Sequence, residues 1–500
     1  MKKIVTLSAI AFLSTAAFAN ADVQKQIDEL NKKIEQLQQS NAKQDKKISE
    51  VNALAAQDNI KFDVDFRTAY DNLRYKTVNG NTYENDALYT NRLWLGMGYA
   101  PTDEMLFRGQ LSFNKAFGAS YGQRGTGFGF DTFDWVLNEN LTDDTIKLRE
   151  AYWLWNFRTG TIGWTASVGR RPATNGYLIN LRDDDKAKSP MGHIINMEFD
   201  GASVAMKLDH YVQGMYAKLC LGRGLTNATG WASEATKAVG SPTGGSNLPN
   251  YVKDNSNLDN VDMAGLIFQP FDNGQYAVVS KFYRGFNVPG MYLQDMDFAT
   301  GARTYSMQSA GDMDGAAISF KVDGVGDGIN DFLDETTLFA SFAWSKTRTS
   351  DVSINRTANA AMAIGMMGMD ANSMLGSDED KSGTSIWLGA QMPNLTGGKF
   401  GLEYNHGSKY WRPFTYGEDT MIGSKMAVRG NAYEAYWTQP LIKDVFSMQL
   451  RYTYLDYEYT GSNGFFGDGG APFSMSEAKA MGMDPVETAQ DIRLYFRYRY

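Results

Sequence analysis

The chain has 500 residues, of which 43% are hydrophobic and 13% aromatic, with 50 glycines and a formal net charge of −9. A pI near 5.1 and a mean hydropathy of −0.39 argue against a general nucleic-acid binder and against a bundle of transmembrane helices. The single cysteine, Cys220, excludes a disulfide scaffold, a four-thiolate metal site and a haem-attachment motif.

Residues 1–21 read as a signal peptide. Lys2 and Lys3 precede an apolar run from Ile4 to Leu13, and the overlapping small-x-small sites Ala17-Phe18-Ala19 and Ala19-Asn20-Ala21 follow. A membrane anchor needs roughly 20 apolar residues, more than this run supplies. In residues 22–58, Ile27, Leu30, Ile34, Leu37, Ile48 and Val51 recur at alternating four- and three-residue steps, with Asn41 and Gln44 in phase. This spacing predicts a short coiled coil. The alternative is a solvated, frayed helix, because a helix this short with two polar core layers is marginal alone. Ile27, Leu30, Ile34 and Leu37 are the expected oligomerisation contacts. The isoleucine and leucine placement favours dimers in isolated peptides, while a barrel of the size argued below favours a trimer.

At Ile60 the period changes from about three and a half to two. Ile60, Phe62, Val64, Phe66 and Tyr70 alternate with Lys61, Asp63, Asp65 and Arg67. Leu93, Leu95, Met97 and Tyr99 then oppose Arg92 and Trp94, and Phe107, Leu111 and Phe113 oppose Arg108, Gln110 and Ser112 across a tight turn. Further strands are expected near 146–156, 162–170, 202–208, 214–222, 262–269, 275–284, 314–322, 334–346, 384–392, 399–405, 431–439 and 445–455. The last stretch, DIRLYFRYRY, puts Ile492, Leu494, Phe496, Tyr498 and Tyr500 on one face and Arg493, Tyr495, Arg497 and Arg499 on the other. Such a strand suits a barrel closed in a membrane, with aromatics in lipid and arginines in water.

The connections alternate in length. Short links lie at Pro101 and at 157–161, 209–213, 271–274, 393–398 and 440–444. Long polar ones are expected at 71–83, 116–145, 171–201, 223–261, 285–311, 347–383, 406–430 and 457–490. Short periplasmic turns and long outer loops have this rhythm, and a soluble sandwich or propeller gives no reason for it. The expected fold is therefore an all-β transmembrane antiparallel β-barrel over 59–500, of about 16 strands within a range of about 14–18, preceded by a short periplasmic α-helical coiled coil.

Motifs for chemistry are sparse. Gly118-Ala119-Ser120-Tyr121-Gly122 fits a nucleophile-elbow pattern but sits in a glycine-rich outer loop instead of a strand-to-helix turn. His193, His210 and His406 fall in three different connections or rims, and their spacing makes no metal site. Asp323, Asp327, Asp331 and Asp334 lack the ligand order of a calcium loop, and the methionine-rich run 360–375 reads as loop. No catalytic residue, metal or cofactor is expected.

The lumen face carries more information. Opposite the apolar stripes stand Arg67, Arg92, Arg108, Lys147, Arg149, Lys207, Lys218, Lys281, Lys321, Arg451, Arg493, Arg497 and Arg499, against Asp63, Asp65, Glu403 and Glu434. Of these, Arg92, Arg108, Arg149, Lys218, Lys321, Arg451, Arg493, Arg497 and Arg499 are the candidate pore-lining residues. Balancing carboxylates lie in loops, at Asp183, Asp184 and Asp185 and at Asp378, Glu379 and Asp380.

The signal peptide, coiled coil and barrel, with the runs GRRPATNG (169–176), HGSKYWRPF (406–414) and YTGSNGFFG (459–467), resemble a porin-like outer-membrane β-barrel family of Gram-negative bacteria. The terminal Phe496, Tyr498 and Tyr500 resemble the sorting signal read by the outer-membrane assembly machinery. By analogy with trimeric porins, Asp183, Asp184 and Asp185 are expected in a constriction loop facing the basic wall; a solvated surface run is the other reading. The resemblance implies an outer-membrane channel, its coiled coil in the periplasm, passing small hydrophilic solutes by diffusion with mild anion preference. The rival readings are a structural tether linking envelope layers and an outer-membrane enzyme.

Overall fold

The computed structural model describes residues 60–119, 141, 144–227, 258–326, 328–351, 355–367, 371–373, 375–462 and 471–500. The expected signal peptide, the coiled coil with Ile27, Leu30, Ile34 and Leu37, and Ser120 of the elbow-like motif lie outside them.

In chain order the barrel strands are β1 (Lys61–Thr77), β2 (Thr82–Tyr99), β3 (Met105–Ala116), β4 (Lys147–Thr159), β5 (Ile162–Ala173) and β6 (Met197–Lys207). They continue with β7 (Tyr216–Leu225), β8 (Val261–Asp272), β9 (Tyr276–Met296), β10 (Arg303–Asp323) and β11 (Thr337–Thr349). The ring is completed by β12 (Ser382–Pro393), β13 (Lys399–Gly407), β14 (Gly430–Ile442), β15 (Phe446–Tyr457) and β16 (Val486–Arg499). Each pairs antiparallel with its sequence neighbours, and β16 returns to β1. The seam is sealed where Val64 and Tyr500 exchange backbone hydrogen bonds of 2.8 and 2.9 Å. A three-residue strand, Ala371–Ser373, pairs only with the far end of β9 and stands outside this sixteen-stranded ring.

The period-two pattern explains the ring. In β1 the residues Asp65, Arg67, Ala69 and Asp71 are buried inward, whereas Phe62 and Phe66 remain 59% and 38% exposed outward. The same outward exposure recurs at Leu148, Val168, Val204, Leu219, Leu266, Phe282, Phe320, Phe342, Leu388, Leu402, Leu450 and Phe496. An apolar belt around every wall would be an aggregation liability in water and is at home in hydrocarbon. No helix among the described residues is long and apolar enough to cross a membrane; the apolar belt is carried by the strands, whose backbone groups pair around the ring.

Two expected long connections are instead tight turns. Residues 78–81 join β1 to β2, and 297–302 join β9 to β10. The strands run on past the bilayer: β9 and β10 have 21 residues each, against roughly 9–11 needed to span. Gly285, Pro289 and Gly290 look like turn residues, but Gly285 and Pro289 sit at register shifts within the β9–β10 ladder, where bulges absorb them, and Gly290 pairs in register with Gln308. The methionine-rich run also departs from expectation, since Ala358–Met367 is helical and packs Ala360, Ala363 and Ile364 on Leu293 and Met296. The acidic turn after β10 holds a one-turn helix, Asp331–Asp334, capped by the Asn330 side chain accepting from the Leu333 N–H. His406 is a strand residue of β13.

Inward glycines make room for inward aromatics. A Cβ at Gly389 would lie 2.1 Å from the Phe339 ring, and one at Gly315 would lie 2.3 Å from Tyr283. Neighbouring strands thus lay large rings flat on the wall and leave the lumen to two loops.

Candidate functional site in the lumen

The first of those loops follows β5. Residues 174–196 enter the barrel, with a parallel pairing of Gly176–Tyr177 and Lys188–Met191 around the short helix Ile179–Arg182. Gln391 and Gln449 on the wall donate to the Leu181 and Arg182 carbonyls, both at 2.7 Å. Arg182 reaches Glu434 at 3.3 Å and Glu418 at 3.4 Å. Farther along, the imidazole of His193 lies between Ser341 and Ser385 hydroxyls at 2.7 and 2.9 Å and edge-on to Trp387.

The second loop, 408–429, follows β13 and also folds inward. The Arg67 and Arg493 guanidiniums donate to the Asp419 carboxylate at 2.8 and 3.0 Å, and Arg92 stands 3.6 Å away. Burial alone would raise the pKa of Asp419, but the Arg67 and Arg493 charges hold it well below the usual carboxylate range. Lys425 donates to Glu403 at 2.6 Å and pairs with Glu434. The two loops brace each other as well: the Phe414 N–H donates to the Ile194 carbonyl at 3.0 Å and the Asn196 N–H to the Phe414 carbonyl at 2.7 Å.

The lumen is therefore divided by chemistry. Beside β1, β2 and β13–β16 it is closed by buried ion pairs. Beside β8–β11 it is closed by apolar packing, in which Ile194, Ile195 and Phe414 meet Ile267, Val279, Met313 and Ala343. Open space remains along β5–β10. A partly open cavity of about 70 Å³ is lined by Arg171, Lys218, Lys281, Phe199, Ile195 and Met263. A second, of about 380 Å³, meets it at Ser189 and is lined by Lys188, Lys321, Asp272 and Gln269. A third, of about 440 Å³, lies apart from these at the short-turn end of β12–β16, against Asp184, Lys399 and Arg499.

Most of the arginines singled out from the sequence belong to the closed half. Arg149, Arg451, Arg493 and Arg497 are between 0% and 3% exposed. Arg497 binds Asp65 at 2.9 Å and Asp185 at 3.0 Å. Arg149 lies 3.3 Å from Glu198, and Arg92 and Arg149 stack on the Trp94 ring at 3.6 and 4.1 Å. Arg499 donates to Asp185 at 2.9 Å, and Lys321 pairs with Asp323 at 3.3 Å. Arg108 is exposed. Asp183 accepts from the Tyr495 hydroxyl at 3.2 Å, its carbonyl accepts from Arg497 at 2.9 Å, and Asp184 pairs with Lys399. Loop acids and wall bases are thus brought together at Asp183, Asp184 and Asp185. The other acidic run stays outside, where Asp380 accepts from the Thr349 N–H at 2.9 Å. Phe496 and Tyr498 face outward, 40% and 41% exposed, and Tyr500 is 82% exposed at the rim.

Asp419, Glu418 and Lys425 were not legible as lumen residues, because a polar connection between strands reads as an outer loop. The available signal was Trp411 and Phe414, two large apolar side chains that solvent-facing loops seldom carry and that here are 1% and 0% exposed.

A closed, sixteen-stranded, lipid-facing ring with loops folded into its lumen defines a transmembrane β-barrel of porin-like architecture. Residues 82–500 match the family described as "Protein of unknown function (DUF3373)", and the chain belongs to that family. None of the curated proteins compared matches it. Among solved structures, the chain is similar to Salmonella typhi OmpF in complex with daunomycin, at 10% identity and a TM-score of 0.45, with 88% of this chain and 98% of that one covered. Pseudomonas putida OprB gives 10% identity and a TM-score of 0.45 over 90% and 96%. An anion-selective porin from Comamonas acidovorans gives 10% and 0.43 over 88% and 99%.

Proposed function

We propose that the protein is an outer-membrane channel through which small hydrophilic solutes diffuse, with a mild preference for anions. The observation that carries this reading is the pair of adjoining cavities along β5–β10, whose walls bear Arg171, Lys218 and Lys281 with no carboxylate paired to them among the described residues, beside Lys188 and Lys321, which pair with Glu150 and Asp323. In a narrow aqueous path with low-dielectric walls, excess positive charge concentrates anions and lowers their barrier, and salt screens the effect. Catalysis plays no part in this reading. Planar-bilayer recordings of the purified barrel test it: discrete conductance steps are expected, and an electrically silent barrel refutes it.

A second reading is favoured by the ion pairs and apolar packing that fill the rest of the lumen. In it the barrel is a closed structural anchor, and residues 22–58 tether it toward the cell wall. Silence in the bilayer, together with envelope defects when those residues are deleted, is its signature.

Assembly is part of the first reading. The chain would be exported by its signal peptide, inserted by the outer-membrane machinery through Phe496, Tyr498 and Tyr500, and held as a trimer by Ile27, Leu30, Ile34 and Leu37 in the periplasm. Mass measurement in detergent before and after removal of residues 22–58 distinguishes trimer, dimer and monomer.

A further inference from the structure

We propose that the cavity between β5–β9 and the first inserted loop is a binding site for a small organic carboxylate with an apolar body. The route by which such an anion arrives rests on the channel reading above; the site itself does not.

The argument begins with register. Lys218 on β7 and Lys281 on β9 both pair with Ile267 on β8, so the two ammonium stems stand at one level of the wall, one strand apart. One step toward the outer end, Cys220 pairs with Gly265. The missing side chain at Gly265 leaves space that the Lys281 stem borders, with its Cε 3.7 Å from where a Cβ would be. Arg171 comes down from β5, fixed by a 2.8 Å hydrogen bond from its Nη1 to the Ser203 hydroxyl. Three cations thus converge on one partly open void.

Their surroundings are unlike those of the other inward cations. Arg67, Arg493, Arg497 and Lys425 each hold a carboxylate. Among the described residues no carboxylate pairs with Lys218 or Lys281, although Lys281 is only 6% exposed. A desolvated ammonium beside a second one is costly unless an anion joins them. A carboxylate is the chemistry that fits, since it accepts from several donors at once. The facing wall excludes a fully hydrated ion as the preferred occupant. Ile195, Phe199 and Met263 line the same void and offer apolar surface to the body of the ligand.

Benzoate is a suitable probe, and Cys220, the only cysteine of the chain, lines the cavity as a reporter. Isothermal titration of the detergent-folded trimer or monomer, checked for heat-modifiable migration, should give saturable benzoate binding. That binding should fall at least tenfold in the Lys218→Gln, Lys281→Met double variant. In the unmodified barrel a sulfonate-bearing methanethiosulfonate should label Cys220 about tenfold faster than its trimethylammonium counterpart at low salt, as expected for a field-focusing pocket. Benzoate should protect the thiol. Absence of benzoate binding by calorimetry overturns the site, as does binding unchanged in the double variant. Equal protection by inorganic phosphate overturns the assignment of an apolar-bodied carboxylate. Conductance without benzoate binding rejects this site and leaves the channel standing, whereas binding without conductance keeps the site and rejects the channel.

Discussion

Asp419 is the residue on which the closed half of the lumen depends most. Three guanidiniums converge on its carboxylate, and removing one partner of a buried ionic cluster costs about 3–5 kcal/mol because the other charges lose their compensation. Asp419→Asn is therefore expected to free the second loop, raise single-channel conductance and lower the temperature at which the barrel unfolds on a denaturing gel. Unchanged conductance and melting would show that the apolar contacts of Phe414 alone hold the loop. His193 gives the first loop a pH dependence. Burial pushes its pKa down to about 3, from roughly 6.5 in an unfolded chain. The native state therefore resists the proton that the unfolded loop accepts. Its contribution to stability is complete above pH 6.5 and is lost progressively as pH falls toward 3. Hydrogen exchange of residues 174–196 should accelerate over that window, and His193→Gln should flatten the profile.

At the scale of elements, the closing strand is decisive. Residues 498–500 are paired to both neighbours of β16, with Tyr498 opposite Phe66 and Phe446 and Tyr500 bonded to Val64. Deleting them unpairs the seam at the short-turn rim and removes interfacial aromatics together, so an open edge faces lipid where no water can satisfy it. Outer-membrane levels of the truncated chain are expected to fall at least tenfold in fractionated cells, and wild-type levels would contradict this account. The loops are elements too, and two of the sequence runs that carry the family resemblance mark their beginnings. GRRPATNG spans the end of β5 and the entry of the first loop, and HGSKYWRPF leaves β13 for the second.

For the molecule as a whole, selectivity should follow the open half of the lumen. Arg493 and Arg497 are neutralised by Asp71, Asp419, Asp65 and Asp185, so their glutamine variants are expected to lower stability more than anion preference. Lys218→Gln with Lys281→Gln removes two charges without partners among the described residues, and reversal potentials under a salt gradient should lose most of their anion bias at low ionic strength. Cation preference in the unmodified pore would place control of the field with the acidic loops.

The amino-acid sequence by itself determined the barrel. Alternation is local, a strand that faces lipid on one side and water or protein on the other must write that division every second residue, and the chain writes it from Phe62 to Tyr498. Chain order and turn length then specified neighbours and ring closure. Local pattern misread the ends of β1 and β2, where 71–77 and 82–91 are polar enough to read as loop, and those of β9 and β10, where glycine and proline signal a bulge and a turn alike. What only the tertiary structure decided is which charges remain open. A wall arginine and a wall lysine look the same in a period-two register; whether either keeps its field depends on carboxylates hundreds of residues away, such as Asp419 against Arg67. Loop insertion is governed by long-range complementarity between Trp411, Phe414 and Asp419 and the wall they meet, and no local periodicity records it.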